Sequence, residues 1–426
     1  MKTHYIPRHL LPNLKHYRYS GIDHSLLSRY VLQPYWSRLV LLFPDWIAPN
    51  LITLLGLSCI VVNIATLLYY DPTLDGACPN WVYYTWAAGL WIYSSLDAID
   101  GKQARRTGTS GPLGQLFDHG CDALNVALGS LLASEAGHLG GSWWTVAGLC
   151  GAQLNFYVST WEEYHTGTLY LSAFSGPVEG VVILTLMFAI TGWKGPAYWD
   201  TGLGDMLHVA FLPQWPVKYV LFGLSQITVI INLALSFRNI LLAIQSRPKD
   251  IPKDAPHHLL VNPAVHRVIG RVLPAFQIPM LLVLSIYLQP TLLHGRLLVP
   301  LILYVGFAAS YFVGRMIVAH VTGMRFPRGN VILTPWIVYT ALLLARNYAT
   351  PLLDTSPLLS SLLLQITQDN VTESVWVLLS LVWGALVYGW FAYRVIQDIC
   401  DYMDIWCLRI KYYNQPRPEN KIIKRD

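Results

Sequence analysis

The sequence predicts an all-α, polytopic integral membrane protein of about ten transmembrane helices, preceded by an interfacial helix. Three observations carry this expectation. Of the 426 residues 54% are hydrophobic and only 12% charged, with a mean hydropathy of +0.41; a soluble domain carries about 25% charged residues. The 16 tryptophans and 25 tyrosines suit the aromatic belts that sit at headgroup level on both faces of a bilayer. The apolar residues gather in stretches near the ~20 that a helix needs to cross ~30 Å of hydrocarbon.

In chain order those stretches cover 51–70, 81–96, 118–137, 143–161, 177–193, 217–243, 268–289, 298–320, 331–349 and 374–396. The third contains Asp118, Asp122 and Glu135 and is accepted as a span because its neighbours require it. Ahead of the first span, "SLLSRYVLQPYWSRLVLLF" mixes Arg29 and Arg38 with Leu, Tyr and Trp. It is either an amphipathic helix lying in the interface or an ordinary connecting segment. The N-terminus shows no cleavable signal pattern, so the first span is expected to act as its own membrane signal. The stretch "QSRPKDIPKDAPHH" at 245–258 reads as a polar linker, and the six scattered cysteines suggest no disulfide framework.

Loop charge gives the orientation. Lys2, Arg8, Lys15 and Arg18 fall on one side with Lys102, Arg105 and Arg106, then Arg247, Lys249 and Lys253, then Arg325 and Arg328, then Arg409, Lys411 and the ending "KIIKRD". The opposite loops carry Lys194 and Arg296. The positive-inside rule then puts both termini in the cytosol. Asn370, in the sequon "NVT", falls on the far side.

The chemistry concentrates in "DAIDGKQARRTGTSGPLGQLFDHGCD" at 97–122. Asp97 and Asp100 are three apart, and Asp118 and Asp122 four apart, so each pair shares a helix face at the cytosolic boundary. A lone aspartate at such a boundary is usually solvated or a cap, but four converging carboxylates need cations. Oxygen-only ligands favour Mg²⁺, Mn²⁺ or Ca²⁺ over zinc. Gly101, Gly108, Gly111 and Gly114 permit close backbone approach, and Lys102, Arg105 and Arg106 put positive charge beside the metals. Such a combination suits a diphosphate. Lys102 and Arg106 serve either the substrate or the topology.

These residues fit DG-x2-AR-x8-G-x3-D-x3-D with Asp97 three residues ahead, and the chain therefore resembles the CDP-alcohol phosphotransferases. "FPDWIAPNLITLLGL", "STWEEYHTGTLYL" and "GPVEG" extend the resemblance, along nearly the whole chain, to the choline/ethanolamine phosphotransferase branch, with a fungal flavour. The resemblance implies that Asp97, Asp100, Asp118 and Asp122 hold two Mg²⁺ or Mn²⁺ ions. It implies that Gly101, Ala104, Arg105, Gly114 and Gln115 line the site for the CDP-alcohol, with Asn50 near the nucleotide or serving as a helix cap. It further implies transfer of phosphocholine or phosphoethanolamine from CDP-choline or CDP-ethanolamine to diacylglycerol, releasing CMP, in a homodimer of the endoplasmic reticulum or Golgi membrane. The corresponding sections are a cytoplasmic segment 1–48, a catalytic core 49–245, further helices 246–400 for lipid access and dimerisation, and a basic tail 401–426.

His119, beside Asp118, is the expected general base, with Asp122 its rival. Relatives often have Glu where this chain has Gln115; if that carboxylate orients the histidine, an uncharged amide must do so here. Glu162, Glu163 and His165 are expected in a cytosolic loop without Lys or Arg, where they face a cationic head group or pair between helices. Neighbouring Tyr and Trp suggest an aromatic cage there. Glu179, with Glu135, Arg315 and His320, belongs to the costly ionisable residues within or at the ends of spans. A different CDP-alcohol, such as an inositol relative, or divalent-cation transport are the competing readings; no nucleic-acid partner is expected.

Overall fold

A computed structural model describes residues 4–17, 19–23, 25–171, 176–209, 211, 213–246, 265–348 and 370–413. The basic ending, most of the 245–258 linker, and Lys2, Arg18, Arg247, Lys249 and Lys253 lie outside them, as does the Asn370 side chain.

The long helices are α2 Pro49–Tyr70, α3 Asn80–Arg106, α4 Pro112–Ala136, α5 Trp143–Thr166, α6 Pro177–Lys194, α7 Val217–Gln245, α8 Val265–Val272 continuing through a 3-10 turn into α9 Gln277–Leu288, α10 Leu298–Thr322, α11 Thr334–Tyr348 and α12 Asn370–Met403. Every expected span falls on one of them, and the chain is an all-α polytopic membrane protein. Among the described residues, six helical stretches are long and apolar enough to cross a membrane on length and composition alone. Helices α3, α4 and α5 are not among these six; they carry the polar residues of the site.

Helix α10 is the hub. Its apolar window is 78% buried, against 11% for α7 at the periphery, and it packs on α4, α5 and α12. Helix α2 lies against α3 and α4, and α3 against α6.

The N-terminal segment is folded onto this bundle. Ile6, Leu11 and Leu14 enter the main core. The Asp398 carboxylate on α12 accepts from the amides of Tyr5 (2.6 Å) and Ile6 (2.9 Å), and His4 Nδ1 lies 2.8 Å from its other oxygen. Strand β1 Gly21–Asp23 pairs in parallel with β2 Leu169–Leu171 just after α5, in the register Ile22 to Tyr170. A π turn Ser28–Leu32, helix α1 Gln33–Leu39 and a 3-10 turn Val40–Leu42 follow. Leu32, Trp36 and Val40 pack on Ile52 and Ile99, while Tyr30, Val31, Leu41 and Leu42 face outward, so the segment is helical and leaves apolar side chains on its outer face.

Candidate active site

The four aspartates lie on helices, as their spacing predicts, and most of the stretch between them, expected as a loop, is helical too. No proline interrupts 97–106 and the single Gly101 is tolerated, so α3 runs on to Arg106, with Arg105 and Arg106 suited to its negative C-terminal end. Gly108 ends the turn at φ 65°, a conformation that favours glycine, and Pro112 opens α4 at its first position, where its missing N–H costs nothing. The connection is 107–111, so α3 and α4 form a helical hairpin with α2 packed against both, and Gly101 and Gly114 are helical.

This hairpin brings the four aspartates together. Oxygens of Asp97, Asp100 and Asp118 lie within 4.8 Å of one another, and ligand atoms of Asp118, His119 and Asp122 form a second such group. Ionised carboxylates at that separation repel by about 3.5 kcal/mol per pair at an effective dielectric of ~20. Thr53 donates to Asp100 Oδ2, and Tyr93 to Asp122 Oδ1 at 2.5 Å. Asp97 Oδ1 and Asp118 Oδ1 are buried without any hydrogen-bond partner. Orphaned acceptors on crowded carboxylates fit a divalent cation, and the all-oxygen group of Asp97, Asp100 and Asp118 fits a hard one.

His119 is buried, with Nδ1 3.3 Å from Asp118 Oδ2. Its Nε2 has no hydrogen-bond partner and lies 3.8 Å from Glu163 Oε2. Gln115 Nε2 donates to the other oxygen of Glu163 at 2.5 Å. If a carboxylate orients this histidine, the group facing it here is not the Gln115 amide. Gln115 grips Glu163, and the carboxylate facing His119 comes from α5.

The motif's cations divide by face. Lys102 Nζ donates to Gln33 Oε1 (2.8 Å) and Ser37 Oγ (3.2 Å). Arg106 donates to the carbonyls of Val40 (3.0 Å) and Phe43 (2.7 Å) and pairs with Asp45 (2.7 Å). Gln103 adds hydrogen bonds to the carbonyls of Pro44 and Ile47. All three hold the N-terminal amphipathic segment. Arg105 is exposed beside Gly101, where an added Cβ would come within 3.6 Å of its guanidinium. Ala104 is half-buried next to it. Across the hairpin, a Cβ on Gly114 would sit 3.9 Å from Asn50 Oδ1.

The sequence profile of the CDP-alcohol phosphatidyltransferases matches residues 46–237, the stretch that holds this site. Along the whole chain, cholinephosphotransferase 1 of Saccharomyces cerevisiae is 34% identical, covering 96% of this chain and 98% of its own. The chain belongs to the CDP-alcohol phosphatidyltransferase family. Choline/ethanolaminephosphotransferase 1 of the same yeast is 33% identical over 96% of this chain and 98% of its own. Choline/ethanolaminephosphotransferase 2 of Arabidopsis thaliana is 32% identical over 95% and 98%.

Not every expected residue of this phosphatidyltransferase gathers at the hairpin. The expected loop at 162–165 is the last part of α5, which continues until Gly167 caps it at φ 74°. Glu162 therefore turns to α7, accepting from Ser236 (2.5 Å) and Asn239 (2.7 Å), the interhelical pairing already weighed for it. His165 packs edge-on against Trp161 and Tyr164. The Arg271 guanidinium lies 5.6 Å from the Tyr164 ring centre, so that aromatic face carries the protein's own cation. Glu179, near the start of α6, accepts from the Ser25 hydroxyl, and its Oε2 has no partner. Glu135 binds Tyr83 on the far side, Arg315 donates to the Gly329 carbonyl, and His320 meets Tyr17 edge-on.

Thr53 and Tyr93 were missed, although the signal existed. Thr53 follows Asn50 by three residues and Tyr93 precedes Asp97 by four, both same-face spacings.

Proposed function

We propose that this phosphatidyltransferase moves phosphocholine and/or phosphoethanolamine from CDP-choline or CDP-ethanolamine to the free hydroxyl of diacylglycerol, releasing CMP, at the cytosolic face of the endoplasmic reticulum or Golgi membrane. The observation that carries the reading is the convergence of four carboxylates, with two orphaned oxygens, beside an unpartnered His119 Nε2. The phosphate acceptor is a lipid, and a bundle of membrane helices is the setting in which it can arrive sideways.

Asp97, Asp100, Asp118 and Asp122 would hold two Mg²⁺ or Mn²⁺ ions. When bound, such ions neutralise the diphosphate and stabilise charge on the departing CMP. Arg105 adds charge on the donor's diphosphate, and Asn50, Gly101, Ala104 and Gly114 shape the nucleotide side. His119 Nε2 takes the proton from the diacylglycerol hydroxyl as its oxygen bonds to the phosphorus bearing the alcohol. The bond from that phosphorus to the bridging oxygen breaks, and CMP leaves with the oxygen. Glu163, 3.8 Å from Nε2, stabilises the imidazolium that forms, and Gln115 holds Glu163 in place. Asp122 is the weaker base because Tyr93 already donates to it and a cation would lower its basicity further. Glu179, and less directly His165 and Glu162, border the cytosolic lip where a head group or acceptor passes. Residues 246–400 serve lipid access and homodimer contacts.

The test is CMP release by purified protein with one diacylglycerol and competing CDP-choline and CDP-ethanolamine, repeated with His119→Ala and Asp122→Asn. His119→Ala is expected to lower kcat by about 10²–10⁴ while leaving KM for the CDP-alcohol within a few-fold. Release with CDP-inositol-type donors only would redirect the head group. Cation flux without CMP release would replace the enzyme by a transporter.

A further inference from the structure

Helix α12 does not run out into solvent. It stops at Met403, and Asp404 takes the left-handed conformation at φ 54°, which a short polar residue enters more readily than most. The Ile405 amide returns to the Cys400 carbonyl at 3.1 Å. The Asp404 carboxylate then accepts from both Lys411 Nζ and the Tyr412 hydroxyl, so one side chain closes the segment 404–412 into a loop. Ile405 and Cys407 pack inward on the main core, while Trp406 is exposed.

The inward turn of this loop meets the site. Asn50 Nδ2 donates to the Cys407 carbonyl at 3.1 Å and lies 3.7 Å from its sulfur. Among the described residues, no other group hydrogen-bonds the Asn50 side chain. With the amide nitrogen fixed by residue 407, Oδ1 is the end of the side chain that comes near Gly114, 3.9 Å from where a Cβ would stand. Asn50 is 8% exposed, so its orientation is not set by solvent.

We infer that the loop Asp404–Tyr412 is a positioning element of the nucleotide site, which orients Asn50 through the Cys407 carbonyl and so sets affinity for the CDP half of the donor. Asp404 is its positioning residue, acting through Cys407 and Asn50 without touching the reacting atoms. This rests on the proposed contact of Asn50 with the nucleotide.

The experiment uses the full chain in lipid nanodiscs and compares Asn50→Ala, Asp404→Ala and Asp404→Asn. Asp404→Ala is expected to raise KM for CDP-choline and the inhibition constant of CMP by about fivefold, the worth of one hydrogen bond. KM for diacylglycerol and kcat stay within about twofold. Asp404→Asn, which keeps an acceptor and tolerates the left-handed backbone, recovers most of the loss. In the wild type, CMP slows maleimide labelling of Cys407, read by mass spectrometry, and diacylglycerol does not. If Asn50→Ala raises KM for CDP-choline but Asp404→Ala does not, the loop has no positioning role and the Asn50 contact stands. If Asn50→Ala changes nothing, the contact itself falls and the inference with it. Equal losses in kcat and both KM values, or Cys407 labelling indifferent to CMP, also overturn the inference.

Discussion

Gln115 and Glu163 form a matched amide and carboxylate, 2.5 Å apart and buried against His119. Gln115→Glu sets a second carboxylate in that contact, and Glu163→Gln removes the charge that faces the imidazole. Each is expected to lower kcat by about tenfold. The exchange Gln115→Glu with Glu163→Gln restores one amide and one carboxylate and is expected to recover most of the activity. A double-mutant cycle measures this, with a coupling of at least about 1 kcal/mol; losses that simply add would sink the pairing. The four aspartates and His119 were legible in the sequence because spacings of three and four residues on a helix are local facts. The link from His119 to Glu163 was not, because it joins α4 to α5 and no spacing along the chain encodes a contact between helices.

Helix α3 works on two faces, and the two arginines of its last turn have separate tasks. Arg106→Ala releases two carbonyls and Asp45, and should cost about 1 kcal/mol of stability, read as a lower Tm, with KM for the CDP-alcohol unchanged. Arg105→Ala should do the reverse, raising that KM with little change in Tm. The sequence showed both cations but not their division, which depends on where the N-terminal segment packs. At the opposite end of the bundle, Asp200 joins α4 to α7, with His138 Nδ1 and Lys218 Nζ each 2.6 Å from its carboxylate. Burial pushes this carboxyl up, but hydrogen bonds and charge from Lys218 and His138 outweigh it and hold it below its ordinary value. A depressed carboxyl stabilises the fold above its unfolded pKa of about 4, and the contribution fades as pH falls through the lower folded value. The Tm deficit of Asp200→Asn should therefore be full at neutral pH and shrink below about pH 4.

For the molecule as a whole, the proposed cation site links stability to metal, because crowded carboxylates without a cation would be a source of instability. Chelation should abolish transfer, with Mg²⁺ or Mn²⁺ restoring it, and should lower the Tm of the wild type more than that of Asp118→Asn. A chelator that shifts both melting temperatures equally would argue against cation binding at the aspartates. At this scale the sequence was most legible, since each expected apolar run falls on a helix, six of the described helical stretches being long and apolar enough to cross a membrane. Helix ends were less so: α3, α5 and α12 run beyond their apolar stretches as polar helical turns, and those extensions hold much of the site.

The clasp on Asp398 also has a timetable. The amides of Tyr5 and Ile6 are made early, yet the carboxylate that receives them lies on α12 and follows more than 390 residues later. Those residues wait for it, while Asn13 can already donate to the Thr322 carbonyl of α10. Closing this clasp is thus a late act of biogenesis, and a chain cut short before residue 398 keeps the hold of Asn13 on α10 and of β1 on β2 but loses the one on Tyr5 and Ile6.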